Sequence, residues 1–176
     1  MFMLKKSMNE KERKNYVEIF SNGKKIHEIN NLVVYEGREK IADMVFDSTG
    51  HMAVTHFGVG KGGTSGGSVV SPTNEDVDLA DPIIIHSSYP DGGKKKAFSP
   101  SDISTNPDSA NNNRNLIKSV SLRLEQNEAN DPDGIINEAG LYVSNGSQFY
   151  LYARITFPDT PKDSTRSITF IWYLFF

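Results

Sequence analysis

Apolar and polar residues alternate through the last third of the chain, and this alternation is the strongest structural signal in the sequence. It runs through four segments, residues 116–124, 135–143, 148–157 and 166–176. In the first segment Val120, Leu122 and Leu124 share one face while polar residues occupy the other, which is the pattern of a half-buried β-strand. The pattern therefore predicts four strands, separated by turns rich in glycine and proline.

The last of these segments is apolar on both of its faces. From residue 168 to residue 176 the even-numbered and the odd-numbered positions are both mostly apolar, which is typical of a strand that is buried on both sides. The sequence favours a central strand of a β-sandwich. Burial by a second subunit is the alternative, because the segment closes on two phenylalanines. The possible subunit contacts are Trp172, Tyr173, Phe175 and Phe176.

A β-hairpin is predicted near the beginning of the chain. The dipeptide Asn22-Gly23 lies between two strand-like segments, residues 16–20 and 24–29. Asn and Gly both adopt positive φ at low cost, which favours a tight turn between paired strands. A turn centred on this dipeptide places Ile19 opposite Ile26.

One segment has the periodicity of a helix. In residues 36–46 the apolar Ile41, Met44 and Val45 recur at the spacing of one helical face, and charged residues fill the remaining positions. Residues 51–59 follow with a loose alternation that predicts a further strand. The expected fold is therefore mainly β, an antiparallel β-sandwich with one main α-helix and long loops.

The chain length and the distribution of these signals indicate one domain with an extension. Residues 1–14 are predicted to form a polar N-terminal arm, and residues 15–176 a single β-sandwich domain. Long loops are expected at about 60–81 and 86–115, where glycine, serine and asparagine are frequent. Such loops are either plain surface connections or segments that become ordered against a neighbouring chain.

Charge and composition narrow the classes of function. The net charge of −3 disfavours a protein whose main activity is specific nucleic-acid binding. The absence of cysteine excludes disulfides, thiolate catalysis and cysteine zinc sites. No segment approaches the roughly 18 consecutive apolar residues of a membrane span, so we expect no membrane partner and synthesis in a cytoplasm.

Several sequence patterns suggest chemistry but lack the context that the chemistry requires. Gly58, Gly60 and Gly63 match a dinucleotide fingerprint, yet the residues that follow cannot begin the helix that holds the pyrophosphate. Residues 63–67 match a nucleophile elbow in letters only, because β-branched residues and a proline follow. The acidic residues 127–138 favour a surface turn, with a loose calcium site as the alternative. We therefore predict no catalytic residue, no cofactor and no metal site.

The hairpin around Asn145-Gly146 decides which residues face the core. The apolar residues before and after it are odd-numbered, so opposed residues must sum to an even number if both sets face one core. A three-residue loop, Ser144-Asn145-Gly146, meets this condition and places Glu138 diagonal to Arg154. These two residues are predicted to form a structural ion pair, which contributes about 1 kcal/mol or less if it is exposed.

Three C-terminal segments and several upstream segments resemble a pattern in structural proteins of tailed-phage particles. The C-terminal ones are Ile136-Asn137-Glu138-Ala139-Gly140-Leu141-Tyr142, Leu151-Tyr152-Ala153-Arg154-Ile155-Thr156-Phe157 and Ile168-Thr169-Phe170-Ile171-Trp172-Tyr173-Leu174-Phe175. The upstream ones are Ile41-Ala42-Asp43, Phe57-Gly58-Val59-Gly60, Gly63-Thr64 and Asp78-Leu79. The resemblance covers roughly residues 30–176, without the loop at 94–113.

The resemblance implies a non-enzymatic virion protein of a tail, neck or collar, baseplate, or fibre-attachment point. The expected partners are copies of the chain itself in a ring and other phage structural proteins, and the expected location is the virion. The alternative is a host-surface-binding component of a tail fibre or spike. A receptor binder favours aromatic residues on exposed loops, whereas here the aromatic residues concentrate in the C-terminal strands.

Overall fold

A computed structural model describes residues 15–46, 52–107 and 116–175. The predicted N-terminal arm, residues 1–14, and the possible contact Phe176 lie outside the described residues. The described part of the chain forms two five-stranded antiparallel sheets and one small two-stranded hairpin. The predicted mainly-β sandwich with one main helix is therefore confirmed.

The first sheet has the strand order β2-β1-β12-β9-β8. Its strands are β1 (Tyr16–Ser21), β2 (Lys24–Asn30), β8 (Ile103–Pro107), β9 (Leu116–Leu124) and β12 (Ile168–Phe175). The strand that is apolar on both faces, β12, takes the predicted central place between β1 and β9. Its predicted burial on both sides is wrong for the described chain, because only the residues that face the core are fully buried.

The second sheet has the strand order β3-β11-β10-β4-β7. Its strands are β3 (Leu32–Val33), β4 (Ala53–Gly60), β7 (Lys96–Ala97), β10 (Ile135–Ser144) and β11 (Phe149–Pro161). Two further short strands, β5 (Thr64–Ser65) and β6 (Ser68–Val69), pair with each other beside β11. The helical segments are α1 (Tyr35–Phe46), the turn α2 (Pro90–Gly93) and one 3₁₀ turn (Pro100–Asp102).

The hydrophobic core lies between the two sheets. Inward side chains of β1, β9 and β12 join those of β4, β10 and β11 in one cluster of buried residues. The rings of Phe157 and Phe170 connect the sheets at a centroid distance of 6.0 Å. Trp172 belongs to this core and is fully buried, so its prediction as a possible subunit contact is wrong. Alternation along β12 turns Trp172 inward and its neighbour Tyr173 outward.

The turn at Asn22-Gly23 is present, but the predicted register away from it is wrong. Ser21 pairs with Lys24, as a two-residue loop requires, and Asn22 has a φ of 47°. A β-bulge then shifts the pairing, so Ile19 lies opposite His27 instead of Ile26. The extra residue in β2 lets His27 point inward, where its ring lies 6.2 Å from that of Phe157.

The hairpin between β10 and β11 has the predicted parity but a different loop. Ser144 pairs with Phe149, which leaves a four-residue connection instead of the predicted three. A register shift next to Leu141 restores even sums, so Leu141 faces Ala153 and both are buried in the core. The predicted core position of Leu151 is wrong. This residue lies between the shift and the loop, and it packs with Tyr142 on the opposite face of the sheet.

The predicted long loops contain more structure than their sequence indicated. Residues 103–107 form the edge strand β8, which pairs with β9 through its backbone and shows no apolar alternation. The segment from 61 to 95 places the buried Leu79 on the outer face of the second sheet, whereas its Ile83 and Ile85 pack in the core between the sheets. Together with α1 it covers that face. The second sheet is therefore covered on both sides.

Candidate interaction surface

The outer face of the first sheet carries a group of large side chains that nothing in the described structure covers completely. We call Tyr16, Phe20, Ile171, Tyr173 and Phe175 the aromatic face. All five are partly exposed, while their neighbours along β1 and β12 point into the core. The alternation of each strand forces this division, because successive side chains leave a strand on opposite sides.

Ring contacts hold the aromatic face in a fixed arrangement. Tyr16 and Tyr173 are direct partners in the antiparallel pairing of β1 with β12. Their rings stack at a centroid distance of 4.5 Å and an interplanar angle of 14°. Phe175 lies next to them, 6.2 Å from the Tyr16 ring. Cross-strand aromatic pairs of this kind stabilise a sheet by roughly 0.2–1 kcal/mol and present a rigid surface.

Charged groups lie within the aromatic face and beside it: Glu18 stands between Tyr16 and Phe20 on β1, and Lys25 and Glu28 lie on the neighbouring β2. Lys25 forms ion pairs with Glu18, at 2.7 Å, and with Glu28. The hydroxyl of Tyr173 donates to Oε2 of Glu18 at 3.2 Å. Partial burial and the nearby Glu18 carboxylate raise the pKa of Tyr173 to about 12. The hydroxyl therefore stays protonated at neutral pH and remains a donor.

The opposite, outer side of the second sheet contains the predicted ion pair. Nη2 of Arg154 lies 2.6 Å from Oε2 of Glu138, and Nη1 lies 2.6 Å from Oδ2 of Asp76. In the observed register Glu138 faces Thr156 and Arg154 faces Gly140, so the two residues are diagonal neighbours, as predicted. Both residues are buried. Removal of one partner from a buried pair leaves an uncompensated charge, which costs far more than the loss of an exposed pair.

The Glu138 carboxylate also binds the backbone of the covering segment. Its oxygens accept hydrogen bonds from the amides of Gly62 at 3.0 Å, Ala80 at 3.0 Å and Asp81 at 2.8 Å. The same segment is held a second time at Asp78, which accepts from the Tyr142 hydroxyl and from Nζ of the buried Lys95 at 3.0 Å. These charges fasten the segment to the sheet.

A groove with mixed apolar and polar lining lies beside the turn that follows β9. Its volume is about 400 Å³, and its lining includes Ile84, His86, Asn127, Asn130 and Asp131. In the described part of the chain, no group of three or more His, Asp or Glu side chains is placed to hold a metal ion. None of the helices described is long and apolar enough to cross a membrane.

The structure separates the four predicted contact residues. Tyr173 and Phe175 are on the aromatic face, Trp172 is in the core, and Phe176 lies outside the described residues. The sequence reasoning missed Tyr16 and Phe20, which complete the surface from the neighbouring strand. Their signal was present as the even-numbered positions of residues 16–20, but only the pairing of β1 with β12 joins them to Tyr173.

Fold and surface together define a two-sheet antiparallel β-sandwich with one sheet covered on both sides and the other bearing a partly exposed aromatic face. Comparison with known proteins adds nothing to this class: no family model, no curated protein and no solved structure matches the chain.

Proposed function

We propose that this chain is a non-enzymatic structural subunit of a tailed-phage virion, at a tail, neck or baseplate, and that it associates with copies of itself or with neighbouring subunits through the aromatic face. The observation that carries the proposal is the partial exposure of Tyr16, Phe20, Ile171, Tyr173 and Phe175 on one rigid sheet. The location in a phage particle rests on the resemblance of the sequence segments alone.

The contrast between the two sheets supports an interface at this face. Helix α1 and residues 61–95 cover the second sheet, whereas the first sheet leaves rings partly in contact with water. Aromatic residues are enriched at the centres of protein interfaces, and a polar rim commonly surrounds them. Lys25 and Glu28 on β2 supply such a rim on one side, and both ion pairs of Lys25 connect it to the face or its border.

Measurement of the native mass tests the association. We expect the purified chain, whose own mass is 19.6 kDa, to sediment as an oligomer or to form a complex with candidate tail or neck proteins. The double variant Tyr173→Ser with Phe175→Ser should raise the dissociation constant by about tenfold or more, because truncating central interface aromatics commonly costs over 1 kcal/mol each.

A control variant shows whether the weaker association is specific to the aromatic face or follows from the loss of any exposed apolar side chain. Val77 is 70% exposed on the segment that covers the second sheet, so Val77→Ser should leave the native mass unchanged. Circular dichroism should show both variants folded. A wild-type chain that stays monomeric alone and in every mixture would refute an assembly role for this face.

The alternative function is host-surface binding by a fibre or spike component, and the groove after β9 favours it as the place where a glycan would bind. One observation weighs against it. Tyr89 and Phe98, the aromatic residues of the 60–115 region, pack against the core instead of standing exposed for stacking on a sugar. A screen of host surface glycans with the wild type and with Asn127→Ala decides between the two functions.

A further inference from the structure

Lys162, the residue directly after β11, has an unusual environment for a lysine. Its side chain is fully buried. Its Nζ lies 2.8 Å from Oδ1 of Asn130 and 3.1 Å from the carbonyl oxygen of Asp163. Among the residues that the structure describes, no carboxylate forms a salt bridge with this amine. Burial of an ammonium group with only neutral acceptors is costly, which favours the uncharged amine.

Electrostatics act on Lys162 in the same direction. Burial lowers the pKa of its amine, and the carboxylates of Asp163 and Glu128 offset this effect only in part. An uncharged lysine amine has a free electron pair and is a nucleophile, whereas the ammonium form is not. Burial thus shifts the protonation equilibrium towards the uncharged amine, and the hydrogen bond places Nζ against the side-chain carbonyl of Asn130.

The side chain of Asn130 is fixed at both ends. Its Oδ1 accepts from Lys162, and its Nδ2 donates to the carbonyl oxygen of Gln126 at 2.8 Å. The preceding residue, Ala129, is buried and has a φ of 52°, which is rare for a residue other than glycine. Backbone conformations of this kind persist where the surrounding structure enforces them, and they concentrate at functional positions. The turn therefore keeps the amide carbon close to Nζ.

We propose that Lys162 and Asn130 form an intramolecular isopeptide bond once the chain has folded. The electron pair of Nζ attacks Cγ of Asn130, and a new C–N bond forms. The bond between Cγ and Nδ2 then breaks, and Nδ2 leaves as ammonia with the proton that Nζ gives up. No oxidant, reductant or cofactor takes part.

The bond would join the end of β11 to the turn that follows β9, two points 32 residues apart in the chain. A chain with no cysteine has no disulfide to staple its strands. A covalent link of this kind restricts the unfolded chain as a disulfide does, and it resists reduction. The inference stands on these residues alone and holds or fails independently of the proposed assembly role.

Intact-mass measurement of the full chain is the decisive experiment. The isopeptide bond predicts a mass about 17 Da below that of the sequence, because one ammonia is lost. A tryptic digest should then contain a branched peptide that joins Asn130 to Lys162, with no cleavage after Lys162. Ammonia loss also accompanies succinimide formation at Asn22-Gly23 or Asn145-Gly146, so the branched peptide is the required sign.

Two variants complete the test. Lys162→Arg replaces the amine with a guanidinium, which stays protonated and is not a nucleophile. Asn130→Ala removes the acceptor, and both variants should retain the full mass of their sequences. A wild-type chain that keeps its full mass after prolonged incubation, or a mass loss that maps only to Asn22 or Asn145, would overturn the proposal.

Discussion

At the scale of single residues, the buried carboxylate of Glu138 imposes the strongest constraint on the molecule. It is completely shielded from water, and Arg154 together with three backbone amides provides its compensation. A buried charge that loses its partner keeps its full desolvation penalty. Mutation of Glu138 or of its partner Arg154 should therefore disturb the attachment of the covering segment strongly.

Arg154→Ala should lower the free energy of unfolding by roughly 3–5 kcal/mol, because it leaves Glu138 and Asp76 without their guanidinium partner. Urea denaturation monitored by circular dichroism measures this change. Arg123→Ala is the control: Arg123 pairs with Glu125 at 2.9 Å, but both side chains are about half exposed, so the loss should be about 1 kcal/mol or less. Equal losses in the two variants would show that burial does not govern the Glu138 pair.

At the scale of elements, helix α1 is attached to the second sheet through a close backbone approach at Gly37. This glycine is buried, and a Cβ placed on it would lie 2.4 Å from the carbonyl oxygen of Tyr152. Such a distance requires the helix or the strand to move. Two opposing effects therefore meet at this position, helix propensity and steric overlap.

Gly37→Ala should destabilise the protein, although Ala is the better helix former by about 1 kcal/mol. The overlap with Tyr152 outweighs that gain, because overpacking against backbone typically costs 1–3 kcal/mol. Thermal unfolding provides the measurement. Ala42→Gly, at an exposed position of the same helix, should cost only the propensity difference. A Gly37→Ala protein that melts higher than the wild type would contradict the close approach.

At the scale of the whole molecule, two hydrogen-bonded aspartates of the covering segment and one histidine of β2 make stability depend on pH. Burial alone would raise the pKa of Asp78, but the hydrogen bond from Tyr142 and the charge of Lys95 outweigh it and hold this pKa below its ordinary value. The pKa of Asp76 is lowered likewise by Arg154 and Thr73, against the effect of burial. Burial lowers the pKa of His27 below 6.5.

All three shifts have the same sign for stability. Each group takes up its proton at a higher pH in the unfolded chain than in the folded one. The free energy of unfolding therefore decreases as the pH falls. The melting temperature should therefore decrease from neutral pH towards pH 3, first below about 6.5 through His27 and more steeply below about 4 through the aspartates. In Asp76→Asn with Asp78→Asn the acidic part of this decrease should be smaller. A melting temperature that stays constant from pH 7 to pH 3 would rule out this effect of the three pKa shifts on stability.

The sequence by itself determined those features that depend on neighbouring residues. Strand β9 occupies the predicted residues 116–124, and helix α1 begins one residue before its predicted start. The two apolar faces of β12 predicted its central position. Alternation and helical spacing follow from backbone geometry, so they are readable wherever one face is consistently apolar.

Only the tertiary structure decided which partner covers each face. A bulge, which leaves no mark in the apolar pattern, sends Leu151 to the outer face of its sheet. The burial of Glu138 depends on amides near residues 62 and 80, more than fifty positions away in the chain. Trp172 and Tyr173 are adjacent and both aromatic, yet one fills the core and the other remains at the surface. Periodicity fixes which side chains share a face, and long-range packing fixes what that face meets.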